Sequence, residues 1–210
     1  MVECFELGGD SPALSRLSNL IVGVFQQTGE SLQQKGKKDL AELIWEQVSL
    51  PHSGAADLVK VLVEAIPAFA DIHWYKGKEI HILKKAQLLC ADLERHLGAR
   101  YPAQFHFHDV AELTVMSDNV LPAVLRKFGI LKLSESLSKR IDHSETLPPG
   151  DEEVELRALA VNACEKIVSV LKSRPVPIVA MDLDFYLWCK GKDPTYRSVE
   201  RHSTTETIFY

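Results

Sequence analysis

Apolar residues that recur every three or four positions constrain the fold of this chain more than any other sequence feature. That spacing is the period of an α-helix with one buried face. The first such series follows Ser11-Pro12, a pair suited to a helix start, and we expect it to end at Thr28-Gly29. Its members are Leu14, Leu17, Leu20, Ile21, Val24 and Phe25. We therefore predict a mainly α protein, a compact multi-helix domain with minimal β structure.

Later segments alternate between helical series and short breaks. The polar residues 30–38 are expected to form a loop, and residues 68–79 a connector. Strand signals are limited to residues 207–210 and 177–180. Further helices are predicted at about residues 40–50, 54–67, 80–97, 118–128, 150–171 and 183–188.

Length and composition favour a single domain over residues 1–210, because a chain with 46% hydrophobic residues can bury a full core. No segment approaches the roughly 20 apolar residues of a membrane span, and the start lacks a secretory signal, so we expect a cytoplasmic protein without membrane contact. A net charge of -5 disfavours wrapping of a nucleic-acid backbone and favours a small-molecule partner. Four scattered cysteines are predicted to be reduced thiols, mostly in the core: Cys4, Cys90, Cys164 and Cys189.

An acidic residue in an apolar segment is the main chemical signal. Asp118 lies between the segments Val115-Met116-Ser117 and Val120-Leu121-Pro122. Burial of a carboxylate is costly unless the group has a partner or a function. Two interpretations are open from the residues alone: Asp118 caps the helix that follows it, or it is a functional acid.

A lysine in the predicted helix over residues 80–97 presents a similar choice. Lys84 lies with Leu88 and Ala91, opposite the main apolar stripe of that helix. Either Lys84 faces an interior cavity, or it extends to water beside Arg95.

Two other polar clusters receive structural interpretations. The acids after Gly150 suit the first turn of a helix, and Glu153 with Arg157 forms an ordinary i,i+4 pair. A second cluster, His106, His108 and Asp109, has residue types that bind zinc, but we do not favour a zinc site there and predict no metal.

Five blocks in the same order resemble the queuosine salvage proteins, which are queuosine 5'-phosphate N-glycosylases. They are IHILKKAQLLCADL at 80–93, the segment around Asp118, GDEEVELR at 150–157, MDLDFYLW at 181–188, and the terminal TIFY. The resemblance is best over residues 80–188. It implies an all-helical body similar to that of DNA glycosylases. It also implies hydrolysis of queuosine 5'-phosphate to release queuine, which another enzyme returns to transfer RNA, without direct binding of transfer RNA by this chain.

The resemblance implies roles for individual residues. Asp118 matches the catalytic aspartate of the family, which would stabilise positive charge on the sugar as the glycosidic bond breaks. Lys84 matches a basic residue of the nucleotide pocket, and Asp184 matches a residue that contacts the base. Met116 and Ser117 would complete the substrate site. No metal or cofactor is implied.

Departures from the family pattern leave alternatives open. Family members carry a long N-terminal region, and we expect this chain to begin after it. Where the family commonly has an aromatic residue and an alanine before the aspartate, this chain has Met116 and Ser117. Three hypotheses remain: an active glycosylase, a truncated or divergent member without turnover, and a helical protein-interaction domain. The third predicts no polar cavity at Asp118, whereas the first two predict that Asp118 and Asp184 share one.

Overall fold

The computed structural model describes residues 12–175 and 178–210, and most of these residues are helical. Its helices are α1 (Pro12–Gln34), α2 (Leu40–Val48), α3 (Ala55–Ala65), α4 (Lys84–Leu97), α5 (Pro102–Phe105), α6 (Val120–Lys127), α7 (Glu135–Asp142), α8 (Asp151–Leu171), α9 (Ala180–Lys190) and α10 (Pro194–Arg197). The strands are β1 (Ile72–Tyr75), β2 (Lys78–His81), β3 (Thr146–Leu147) and β4 (Ser203–Thr204). The prediction of a mainly α protein with minimal β structure is confirmed.

Local signals explain why several helices begin where predicted. The Asp39 side chain accepts a hydrogen bond from the Glu42 amide at the start of α2, which satisfies one of the free N–H groups of the first turn. Helix α8 begins with three acidic residues, which suit the positive end of a helix dipole. These helices agree with the predictions from apolar spacing, as does α3.

The first helix is longer than predicted. It continues through Thr28-Gly29 to Gln34, so the expectation of a loop starting at residue 30 is wrong. Leu32 lies in the added turns and packs in a buried cluster with Leu43 and Ile66. Tertiary packing therefore outweighs the helix-ending tendency of the glycine. Ser11, the predicted cap, lies outside the described residues.

A β-hairpin occupies a segment that was predicted to be a connector and the start of a helix. Strands β1 and β2 pair antiparallel, with Ile72 opposite His81 and Tyr75 opposite Lys78. Lys76 and Gly77 form the turn, with φ values of 48° and 78°, and positive φ at both central residues suits a two-residue hairpin. The strands are too short for an alternating pattern to stand out in the sequence. Because β2 takes the first residues of the predicted helix, α4 begins later than expected, at Lys84.

The predicted terminal strand is absent from the structure: residues 207–210 are irregular, and β4 pairs earlier, in parallel with β3. Of the other predicted strand, Pro177 lies outside the described residues and Ala180 begins α9. Two cysteines, Cys90 and Cys164, are buried, Cys189 is exposed, and Cys4 lies outside the described residues.

Two buried clusters meet at the segment that carries Asp118. One packs α2 and α3 against α4 and includes Met116. The other packs α6 against α8 and α9 and includes Val115. Residues 113–119 therefore run between two parts of the core, which fixes their position without regular secondary structure. Among the described residues, no helix is both long and apolar enough to cross a bilayer.

Candidate active site

Helices α4 and α9 and the segment around Asp118 surround a cavity of about 320 Å³. Helix α4 contributes Lys84, Leu88, Ala91, Asp92 and Arg95. The remaining lining residues are Met116, Asp118, Leu121, Met181, Asp184, Phe185 and Trp188. Apolar walls with a few converging charged groups are typical of sites for small ligands. The charged groups in this cavity contradict the prediction of the protein-interaction hypothesis, which expected no polar cavity at Asp118.

Lys84 points into this cavity from the start of α4. Its ammonium nitrogen lies 3.8 Å from Oδ2 of Asp118, and its side chain is 17% exposed. The interpretation in which Lys84 faces an interior cavity is therefore the one that agrees with its position. Residues 84, 88, 91, 92 and 95 all face the cavity, because they follow one face of the helix.

Asp118 is 8% exposed, and its two oxygens have different partners. Oδ1 accepts a hydrogen bond from the Val120 amide at 2.7 Å, at the start of α6. Oδ2 faces Lys84. The two interpretations of Asp118 are thus compatible, because one oxygen holds the helix start while the other is directed to the lysine and the cavity.

Asp184 approaches the same cavity from α9. Its Oδ1 accepts a hydrogen bond from the Met116 amide at 2.7 Å. Burial raises the pKa of Asp184 to about 6; the Met116 hydrogen bond opposes this shift, and the negative charge of Asp118 adds to it. The cavity therefore contains a carboxyl group that changes protonation close to neutral pH.

Four of the five predicted site residues line the cavity, and Ser117 does not. Lys84, Met116, Asp118 and Asp184 belong to the lining. Ser117 is fully buried, and its carbonyl accepts a hydrogen bond from Nε of Arg157 at 3.0 Å. Its hydroxyl has no hydrogen-bond partner among the described residues. The position of Ser117 suits contact with the protein interior rather than with a ligand.

An aromatic and basic rim was not predicted. Phe185 and Trp188 are 48% and 39% exposed, and their rings stack with centroids 6.3 Å apart. The Arg95 guanidinium lies 4.5 Å from the Phe185 ring centroid, within the range of a cation–π contact. The spacing of Met181, Asp184, Phe185 and Trp188 on α9 is the signal that could have identified this rim.

Two of the three candidate zinc residues, Asp109 and His106, have other partners. Both oxygens of Asp109 accept backbone hydrogen bonds, from Ala55 at 2.6 Å and Ala56 at 3.0 Å, and so cap α3 from a distant loop. His106 Nδ1 lies 2.9 Å from a carboxylate oxygen of Glu94. Within residues 12–175 and 178–210, no group of three or more His, Cys, Asp or Glu side chains is arranged to hold a metal ion.

A mainly helical fold with three carboxylates, a lysine and an arginine around a small cavity defines a protein with a site for a small polar ligand. Comparison with known families makes this assignment specific. Residues 11–210 match the family described as queuosine salvage protein. The chain belongs to that family.

Three curated relatives carry the name queuosine 5'-phosphate N-glycosylase/hydrolase. The protein of Sphaerobacter thermophilus is 30% identical over 208 residues, covering 96% of this chain and 59% of that protein. The Schizosaccharomyces pombe protein is 32% identical over 145 residues, covering 68% of this chain and 40% of its own. The Dictyostelium discoideum protein is 29% identical over 168 residues, covering 80% of this chain and 51% of that protein. The chain spans about half the length of the curated relatives it matches.

Proposed function

We propose that this chain hydrolyses the N-glycosidic bond of queuosine 5'-phosphate and releases queuine. The observation that carries the proposal is the convergence of Asp118, Asp184 and Lys84 on one cavity, in a chain that belongs to the queuosine salvage family. The released queuine would be free for insertion into transfer RNA by another enzyme, and no direct contact with transfer RNA is proposed.

Asp118 is the proposed catalytic residue. As the bond between the base nitrogen and the anomeric carbon breaks, positive charge develops on the sugar, and a fixed carboxylate stabilises it. The base leaves with the electron pair of that bond and gains a proton. The oxygen of a water molecule bonds to the anomeric carbon, and the proton that this water loses balances the one gained by the base. The hydrogen bond from Val120 to Oδ1 holds the carboxylate in place, which leaves Oδ2 available to the sugar.

Asp184 is the proposed contact to the base. Queuine is a 7-deazaguanine and lacks the ring nitrogen that purine glycosylases commonly protonate, so assistance must reach other atoms of the base. A carboxylate accepts hydrogen bonds from the amine and amide groups of such a ring, and a neutral carboxyl group can also donate one. A pKa near 6 makes both forms of Asp184 accessible.

Lys84 is the proposed source of positive charge for the phosphate end of the substrate. It lies beside Asp118, and the 5'-phosphate is attached to the sugar on which that carboxylate would act. An ammonium group so placed attracts the phosphate and also limits repulsion between the phosphate and Asp118. Met116 supplies a polarizable apolar surface next to these groups.

The test is release of queuine from queuosine 5'-phosphate, followed by mass spectrometry. We expect the parent chain to release queuine and Asp118→Asn to do so at a rate lower by about 10²–10⁴, because one charged catalytic group is removed. Asp142→Asn is the matched control, since Asp142 lies on α7 away from the cavity, and it should retain the parent rate. No release by folded parent protein, or equal rates for the parent and Asp118→Asn, would contradict the proposal.

A further inference from the structure

A buried ion pair lies directly behind the cavity. Arg157 of α8 is fully buried, and Asp71, just before β1, is 1% exposed. The guanidinium donates from Nη1 to Oδ1 of Asp71 at 3.0 Å and from Nη2 to Oδ2 at 2.6 Å. Nη1 also donates to Oε1 of Glu153 at 3.1 Å. This two-point geometry fixes the orientation of the guanidinium as well as its position.

The pair contacts the two segments that carry Asp118 and Lys84. On one side, Nε of Arg157 donates to the carbonyl of Ser117, the residue before Asp118. On the other side, Oδ2 of Asp71 accepts from the Lys84 amide at 3.1 Å. The pair thus holds the Lys84 backbone directly and the peptide group that joins Ser117 to Asp118.

The backbone just before Lys84, at the start of α4, has a strained conformation that surrounding contacts hold in place. Leu83 has a φ of 52°, in the left-handed region that a leucine rarely adopts. The Ile82 and Leu83 amides both bind the Asp71 carbonyl, at 3.1 and 3.3 Å. Such a conformation persists only where surrounding contacts determine it, and it is concentrated at functional sites. Asp71 provides those contacts through its backbone and its side chain.

The C-terminal segment covers the pair on a further side. The Tyr210 ring centroid lies 4.9 Å from the guanidinium carbon of Arg157, and the ring edge meets His202 at 5.7 Å between centroids. The carbonyl of His202 accepts from the side chain of Asn119 at 3.1 Å. The residue after Asp118 is therefore anchored as well, and water is kept from the pair.

We propose that the Asp71–Arg157 pair is a positioning element that sets the separation and orientation of Lys84 and Asp118. The geometric part of this inference stands on the contacts above, whereas its catalytic consequence rests on the proposed function. Neither residue lines the cavity, so the pair acts through the two segments that it holds. Loss of its geometry should move Oδ2 of Asp118 relative to a bound sugar.

The test compares Arg157→Lys with Arg126→Lys. Arg126 makes a similar two-point contact with Asp142, at 2.8 and 2.7 Å, between α6 and α7, and lies outside the cavity. A lysine at 157 keeps the charge but cannot bind both oxygens of Asp71 and the Ser117 carbonyl together. Two readouts are needed: kcat and KM for queuosine 5'-phosphate, and amide hydrogen exchange over residues 115–120.

We expect Arg157→Lys to lower kcat by about 10- to 100-fold while KM changes by less than about threefold, because misplacement of a catalytic group by 1 Å can cost that much. Exchange over residues 115–120 should be about tenfold faster or more. Arg126→Lys should match the parent in both readouts. A folded Arg157→Lys protein with the parent kcat overturns the proposal and leaves the pair a role in stability alone.

Failure of the proposed function is distinguishable from failure of this inference. If the parent chain releases no queuine, the glycosylase proposal fails, and exchange over residues 115–120 then decides the positioning role. Faster exchange in Arg157→Lys supports that role, and parent-like exchange overturns it. If Arg157→Lys does not fold, Asp71→Asn is judged by the same measurements, since asparagine keeps the size of the side chain and removes its charge.

Discussion

Two arginine–aspartate pairs in this protein have nearly the same geometry and very different surroundings. Arg157 and Asp71 are 0% and 1% exposed, whereas Arg126 and Asp142 are 22% and 49% exposed. Each arginine binds both oxygens of its aspartate within 3.0 Å. The two pairs therefore share a geometry and differ in environment, and of the two only the buried pair contacts the segments that carry Lys84 and Asp118.

The degree of burial changes how strongly each aspartate depends on its arginine. Burial by itself would raise the pKa of Asp71, but hydrogen bonds from His73 and Arg157 lower it below its ordinary value. The pKa of Asp142 is lowered chiefly by its hydrogen bond with Arg126. Asp71 therefore depends on its partners to stay ionised in the interior. Asp142 has water as an alternative partner, so loss of Arg126 costs it little.

The largest expected effect comes from removing Arg157, with removal of Arg126 as the comparison. Arg157→Met leaves Asp71 and Glu153 buried without their cation, and we expect the free energy of unfolding to fall by about 3–5 kcal/mol. Arg126→Met should lower it by less than about 1 kcal/mol. Urea unfolding of both variants at pH 7 measures the difference. Equal losses would show that burial does not distinguish the two pairs.

Asp184 extends the comparison to a carboxyl group that is largely buried and accepts one backbone hydrogen bond, from Met116. Its pKa is raised from 3.8 to about 6. Between these two pH values the folded protein keeps a proton that the unfolded chain has lost. The free energy of unfolding should therefore fall as the pH rises from about 4 to about 6, by about 3 kcal/mol. Asp184→Asn removes this contribution.

Unfolding in urea at several pH values from 4 to 8 checks the sign of the Asp184 effect. Relative to the parent, Asp184→Asn should gain stability as the pH rises to about 6 and keep that gain above it. Asparagine retains an oxygen that can accept from the Met116 amide, so the comparison isolates the charge. A constant difference between the two proteins at all pH values would show that Asp184 is not shifted.

The smallest expected effect concerns the aromatic cover of the buried pair. Tyr210→Leu removes the ring over Arg157 and should lower the free energy of unfolding by about 1 kcal/mol, the size of a partly desolvated cation–π contact. Tyr210→Phe keeps the ring and removes only the hydroxyl that donates to Thr204. It should retain most of that stability in thermal or urea unfolding. Equal losses for leucine and phenylalanine would assign the effect to the hydroxyl instead.

The helical elements were largely predictable because their signals are local. Helices α2, α3 and α8 follow from apolar spacing, with capping or acidic residues at their starts. The hairpin of β1 and β2 was not, since four residues carry too little alternation to compete with a neighbouring helical pattern. The last turns of α1 were also missed, because Leu32 packs against residues that are distant in sequence.

Local signals in the sequence likewise predicted some residues of the candidate site and missed others. The position of Lys84 beside Leu88 and Ala91 could be read from one helix face, and Asp118 was notable because its neighbours are apolar. Their roles in catalysis remain predictions. Ser117 was predicted to contact the ligand, but it is fully buried and does not line the cavity. The segment around it has no regular period from which the direction of its side chain can be inferred. The rim formed by Phe185 and Trp188 was overlooked although its spacing on α9 is helical.

The sequence by itself determined the helical character of the protein and the faces of its main helices, since both depend on residues a few positions apart. Only the tertiary structure decided what Arg157 does. In the sequence it forms an ordinary i,i+4 pair with Glu153, but its other hydrogen-bond partners are Asp71 and Ser117, which are 86 and 40 residues away. Burial turns that arginine from a surface charge into the link between Lys84 and Asp118, and no local pattern specifies which distant groups will be buried together.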